Sequence, residues 1–234
     1  MSAESMARLY GTTVRDRLEL LTTWPIGGVT TSLGDVGFLS RRGKLFQRRT
    51  NLEKFGIKFN VKKAAGISDH EIKLGRDLQI RFKASGKAPP PGSSLLDTDI
   101  GFAIALGRGS SVIVRAHTIE SSIDDLQQLE ADLIRVSSDA TARWHRNFVV
   151  VTSISESNGT TVILSNGKET NVDIVARAAV AGPLDLADVN AGLSIASSSS
   201  DLISVLAQAN FVPFLKVHRL KGRYWGPLRL SLYG

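Results

Sequence analysis

Alternation of apolar and polar positions is the strongest pattern in the chain. From residue 71 onward, Ile72, Leu74, Leu78, Ile80 and Phe82 fall on one face of an extended segment, and Lys73, Asp77, Gln79, Arg81 and Lys83 on the other. Side chains of a strand change face at every residue, so this spacing predicts a β-strand with one apolar and one charged side. Arg76 is the one break in the apolar face. Residues 84–94 contain Gly86, Pro89, Pro90, Pro91 and Gly92 and predict a joint. A second alternating segment follows, with Ile100, Phe102, Ile104 and Leu106 between Gly101, Ala103, Ala105 and Gly107. It resumes after Arg108-Gly109 with Val112, Val114 and Ala116. The two segments predict an amphipathic β-hairpin. Each reaches the roughly 9–11 residues that a tilted membrane-crossing strand needs, and each also suits a long strand of a soluble sheet with one face on a core.

Around this hairpin the pattern predicts a mixed chain. Residues 2–21 read as a helix carrying Leu9, Val14, Leu18 and Leu21, interrupted at Gly11 and ended by Trp24-Pro25-Ile26-Gly27-Gly28. Short strands are expected over 29–39 and 44–48, a helical turn over 51–56 stopped by Gly56, and a strand over 57–61. A surface helix is expected from Ser122 as N-cap, with Asp124 and Asp125 at its positive end and Ile119, Ile123, Leu126, Leu129, Leu133 and Ile134 as its apolar stripe. Residues 148–154 predict a strand, Asn158-Gly159 a hairpin turn, and 160–164 the strand that pairs back. Asn166-Gly167 is a second turn signal. Further strands are expected over 172–178, 189–195, 201–206 and 211–220, with Pro213 marking an edge or a bulge. The fold class is therefore α+β: a twisted, mostly antiparallel sheet with one long hairpin and a few packed helices.

Composition narrows the chemistry. The 234 residues carry a net charge of +7 and include no cysteine, which rules out disulfides, thiolate metal sites and a cysteine nucleophile. The charge is concentrated. Residues 41–87 hold 14 Lys or Arg against 4 Asp or Glu, while the remainder sums to −3. Such a block attracts anionic lipid headgroups or nucleic-acid phosphate, or forms a solvated face with no partner. The histidines, His70, His117, His145 and His218, show no metal-site spacing, and no glycine-rich phosphate loop is present. The paired carboxylates Asp97/Asp99 and Asp124/Asp125 fall in a joint and at a helix start. Nothing in these motifs argues for an enzyme or a cofactor. No apolar run reaches the length of a transmembrane helix, and the first ten residues lack the pattern of a secretory signal, so the chain is expected to be cytoplasmic when inactive.

The order of these features resembles the gasdermins, in particular their short microbial members. The likeness lies in Leu33-Gly34-Asp35-Val36-Gly37 through Phe46 to Phe55-Gly56, in the two alternating segments flanking Pro89 to Pro91, and in Phe148-Val149-Val150-Val151-Thr152-Ser153-Ile154 followed by Thr160-Thr161-Val162-Ile163-Leu164. It ends with Phe211-Val212-Pro213-Phe214-Leu215-Lys216-Val217-His218-Arg219-Leu220, and so spans about residues 33–220. The resemblance implies a single pore-forming domain over residues 1–220 and a short tail, 221–234, as inhibitory segment. It implies an autoinhibited cell-death effector of immune defence that is activated by a protease, then oligomerises in the membrane as a β-barrel pore.

Under that reading Ile72, Leu74, Leu78, Ile80, Phe82, Ile100, Phe102, Ile104, Leu106, Val112 and Val114 meet lipid acyl chains. Arg41, Arg42, Lys44, Arg48, Arg49, Lys62 and Lys63 meet anionic lipid. Trp225, Leu228, Leu230, Leu232 and Tyr233 anchor the tail, and Lys221, Gly222 and Arg223 form the cleavage region. A second hairpin is expected from residues 172–178 with 189–195. Two departures from the family stand out: the N-terminal cysteine often lipidated in microbial members is absent, and the tail is short. The alternative is a soluble nucleic-acid- or protein-binding module that uses the basic block of residues 41–87.

Overall fold

A computed structural model describes residues 3–26, 30–40, 45–83, 100–166, 170–176, 186, 193–197, 202–205, 211–222 and 227–233. In chain order its elements are α1 (Ala3–Leu18), β1 (Asp35–Leu39), β2 (Phe46–Asn51), β3 (Val61–Lys63), β4 (Ser68–Leu74), β5 (Gln79–Lys83), β6 (Ile100–Leu106), β7 (Ser110–Ile123), α2 (Leu126–Ser138), β8 (Val149–Asn166), β9 (Thr170–Ala176), β10 (Leu193–Ser197), β11 (Leu202–Val205), β12 (Phe211–Gly222) and β13 (Leu228–Leu232). The fold is α+β, and the strand ladders are antiparallel. The chain divides into two compact units. The first comprises Met1–Tyr10, Asp69–Thr118 and Ser157–Phe211; the second comprises Gly11–Ser68, Ile119–Glu156 and Val212–Gly234.

The second unit holds the sheet order β13-β12-β8-β1-β2, with β3 on the end of β7. β1 and β2 pair from Asp35↔Asn51 to Leu39↔Phe46 with a bulge at Val36/Gly37. Residues 52–55 form the expected helical turn: the Asn51 side chain accepts from the Lys54 amide, and Gly56 closes it at φ +70°. One core surrounds α2, where Leu129, Leu133 and Val136 pack with Val36, Leu52, Ile57, Ile123 and Val150. Another gathers Leu21, Phe46, Val149, Val151, Ile154, Leu215 and Val217.

The first unit holds a separate four-stranded sheet of order β10-β9-β6-β5, with β4 on β7 and β11 on β8. Its core gathers Phe102, Ile104, Leu106, Ile113, Ile163, Val172, Ile174 and Leu186.

Several expectations are corrected. Gly11 does not interrupt α1, which runs unbroken from Ala3 to Leu18. Its cost of about 1 kcal/mol against alanine is outweighed by full burial of its neighbours Tyr10 and Val14. Glu19, at φ +57°, ends the helix. α2 starts three residues later than expected. β7 continues through Ile119 and Ile123, so Asp125 rather than Ser122 is the N-cap, and its carboxylate accepts from the Gln128 amide at 2.8 Å. Asn158-Gly159 makes no turn. It lies inside the 18-residue strand β8, so residues 160–164 continue residues 148–154 instead of pairing back, and their partner is β11. Residues on both sides of the dipeptide are buried, and this tertiary demand overrides the local turn preference. The strand expected over 57–61 forms instead at Val61–Lys63. Pro213 lies in β12, whose ladder with β13 reaches only His218↔Leu232, so the proline sits beyond that ladder's end.

Candidate functional site

The long hairpin read from alternation exists, but it is bent. Its first arm splits into β4 and β5 around residues 75–78, and its second into β6 and β7 around residues 107–109. β5 pairs with β6 from Gln79↔Ala105 to Lys83↔Gly101, while β4 pairs with β7. Two local constraints make the bend. Asp77 at φ +56° and Gly109 at φ +106° take left-handed backbone. A Cβ on Gly107 would lie 2.2 Å from the Arg76 carbonyl oxygen, so only glycine allows the arms to approach there. Arg76 thus belongs to a turn and not to an apolar strand face.

The bend also changes which residues meet. Phe102, Ile104 and Leu106 share one core with the partly buried Leu78 and Ile80. Beyond the bend the parity flips: Ile113 joins that core, while Val112 and Val114 are equally buried outside it. Serine and apolar residues 111–114 are all buried, so β7 is covered on both faces there. Ile72 is buried and Leu74 partly so. Phe82 and Ile100 lie opposite Phe102 and Ala176 in the ladders, and their side chains lie outside the described residues.

The second hairpin is the pair β9–β10. Its ladder runs from Leu193↔Ala176 to Ser197↔Val172, so its second strand covers Leu193–Ser197, and residues 189–192 of the expected span lie outside the described residues. β9 also pairs with β6 from Ile100↔Ala176 to Leu106↔Thr170. The two hairpins therefore stand side by side in one antiparallel sheet. Lys83, Ile100, Ala176 and Leu193 all fall at the same end of the strands, so the connections 84–99 and 177–192 both start from that end. One face of the sheet carries Ile80, Phe102, Ile104, Val172 and Ile174. The other carries Gln79, Arg81, Gly101, Ala103, Ala105, Asn171 and Asp173. Sequence reasoning missed Ile113, Val172, Ile174 and Leu186 as members of this core. The spacing of Val172 and Ile174 around Asp173 was the available signal; nothing local marks Leu186, whose carbonyl accepts from the Thr161 hydroxyl.

The basic block is partly committed to the fold. Arg48 donates from Nε to the buried Asp35 carboxylate at 2.8 Å. The Arg49 guanidinium lies 5.9 Å from the Phe38 ring centre. Lys63 sits 3.6 Å from Glu156 on the surface, and Lys62 is exposed. Arg41, Arg42 and Lys44 lie outside the described residues, as do Asp97 and Asp99.

Among the described strands the tail is an outer one. β13 pairs with β12 from His218↔Leu232 to Gly222↔Leu228. Leu230 packs against the α2 core, Tyr233 against the neighbouring one, and the Arg219 guanidinium lies 4.9 Å from the Tyr233 ring centre. From α2, the Glu130 carboxylate accepts the Leu230 amide at 2.5 Å and reaches Arg229 at 4.0 Å. Leu228 is partly buried and Leu232 is exposed. Lys221 and Gly222 are exposed at the end of β12, while Arg223 and Trp225 lie outside the described residues. Among the described residues no helix is long and apolar enough to cross a membrane.

A scan of the chain against protein-family models and a search of curated proteins each return no match.

Proposed function

We propose that the chain permeabilises membranes, its two adjacent hairpins lengthening into the bilayer-spanning strands of an oligomeric β-barrel. The observation that carries this reading is the sheet β10-β9-β6-β5, in which two hairpins with one shared apolar face start both of their connections from the same end of the strands. β6 and β9 have seven residues each and β5 and β10 five. A tilted crossing takes about 9–11, so each strand must draw residues from 84–99 or 177–192. The apolar face would exchange its core neighbours Ile113, Ile163 and Leu186 for acyl chains, and the face with Gln79, Arg81 and Asp173 would meet water. An open sheet edge cannot be satisfied in hydrocarbon, so hairpins of several copies must close a barrel.

In this reading the tail restrains the chain. β13 is held by a five-residue ladder and a few apolar contacts, each worth about 1.5–3 kcal/mol at full burial, and cleavage near Lys221, Gly222 or Arg223 turns it into a separable peptide. Basic residues from 41–63 then face anionic lipid, and the activated form resides at the membrane.

Dye release from vesicles of phosphatidylglycerol and phosphatidylcholine tests this, comparing the full chain with one ending at Leu220. The truncated chain is expected to leak dye, and Leu78→Asp in that background is expected to stop it. Leu78 is the informative position because it is only partly buried, whereas Ile104 is 1% exposed and a carboxylate there would unfold the sheet. Unchanged leakage by a folded Leu78→Asp chain overturns the reading, as does the absence of leakage from both chain lengths.

A further inference from the structure

A row of half-buried rings runs across the second unit. The Phe55 ring centre lies 5.0 Å from that of Trp144, Trp144 lies 5.3 Å from Phe148, and Phe148 lies 4.9 Å from Phe38. His145, exposed, meets Phe38 edge to face at 5.0 Å. The turn after α2 presents the central members. Asp139 caps the turn by accepting the Thr141 amide and hydroxyl, the Phe148 amide bonds the His145 carbonyl, and Arg143 is held at φ +54°. A non-glycine residue in the left-handed region costs of order 1 kcal/mol and points to a constraint on what the turn displays.

Cations flank the rings along the chain, Lys54 beside Phe55, Arg143 beside Trp144 and Arg146 beside His145, and Arg49 lies over Phe38. Arg49, Lys54, Arg143 and Arg146 are all exposed, and none forms an ion pair among the described residues. Two carboxylates stand near in sequence, Glu53 and Asp139, and the second is already engaged by Thr141. The Trp144 indole N–H has no hydrogen-bond partner among the described residues, and the residue is partly exposed. A ring that is packed at one end and wet at the other, flanked by arginines, has the chemistry of the headgroup layer of a bilayer.

We infer that this row, centred on Trp144 and flanked by Arg143 and Arg146, is the surface that seats the chain on an anionic membrane. The inference rests on the reading that the chain acts at membranes, and it moves the lipid contact from the 41–63 stretch toward the turn after α2. Ring geometry separates it from nucleic-acid binding. The Phe38–His145 and Trp144–Phe148 planes cross at 82° and the Phe55–Trp144 planes at 67°. Rings packed edge to face against one another offer no parallel stack of open faces to successive bases.

The test uses the full chain with Trp24→Phe and Trp225→Phe, which leaves Trp144 as the sole tryptophan. Emission is recorded as vesicles of phosphatidylcholine with 30% phosphatidylglycerol are added, and binding is measured by co-sedimentation. The expected result is a blue shift of Trp144 emission on binding. Arg143→Ala with Arg146→Ala, both exposed and so compatible with folding, should weaken binding by roughly 25-fold, about fivefold each at low salt. Emission that stays unmoved while the protein co-sediments overturns the inference, as does equal binding by the double arginine variant. Tighter binding to a single-stranded oligonucleotide than to the vesicles also overturns it. Dye release is a separate readout: Trp144 insertion without leakage keeps this surface and removes the pore, and leakage without insertion does the reverse.

Discussion

His218 and Arg48 show how single side chains carry the second unit. The His218 Nδ1 lies 2.7 Å from the Thr152 hydroxyl, and burial pushes its imidazole below the ordinary value of 6.5, with Lys216 two residues away adding to the shift. A folded-state value lowered in this way makes the unfolded chain the better proton binder. The contribution of His218 to stability is therefore complete above pH 6.5 and is lost as the pH falls through the lower folded value. Thermal unfolding over a pH series should show a loss of stability on acidification that His218→Gln reduces. Arg48 answers a different question. Its charge suggests a lipid contact, yet it holds Asp35, which is 1% exposed and also accepts the Ser32 amide at 2.9 Å. Arg48→Ala should cost about 1–3 kcal/mol in urea unfolding, since it leaves a buried carboxylate with one partner fewer. Loss of vesicle binding by that variant with full stability would restore the lipid role. The pair is 13 residues apart, and only the bulged β1–β2 register joins it, so charge alone could not reveal it.

At the scale of elements, local chemistry was legible where a rule of short range decides the outcome. The Asn51 to Gly56 turn, the existence of α1 and α2, and the pairing of residues 79–83 with 101–105 all follow from caps, spacing and alternation. Boundaries failed where a neighbour decides. α2 begins after Asp125 because β7 needs Ile119 to Ile123 as strand. Asp125→Ala should therefore lower stability by about 1 kcal/mol, as loss of an N-cap does, while Ser122→Ala should change it little. Urea midpoints of the two variants decide between the two starts. The parity flip at residues 107–109 was hidden for a related reason. The sequence alternates across Gly107, Arg108 and Gly109 as if they kept the strand period, although left-handed backbone at Gly109 resets it. Asn158-Gly159 failed because a turn preference of the backbone is weak against burial of Thr160 to Leu164 in a long strand.

At the scale of the whole molecule, the hairpin-bearing sheet belongs to the first unit, whereas the aromatic row, the basic residues up to Lys63 and the tail strand belong to the second. Residues proposed to sense a surface and residues proposed to enter it thus belong to different units, a division that composition could not reveal because both units interleave in sequence. The clasp between Glu130 and the Leu230 amide has a consequence for solubility. β13 is an outer strand, and an outer strand offers unpaired amides to any passing chain. Glu130 occupies one of these amides from the side of α2, so the edge is closed by a charge at the point where an incoming strand would take hold. Glu130→Ala should leave the fold in place and raise concentration-dependent light scattering, while Glu130→Gln, which can still accept the amide, should raise it less. Removing this one carboxylate is thus expected to let the sheet grow between molecules.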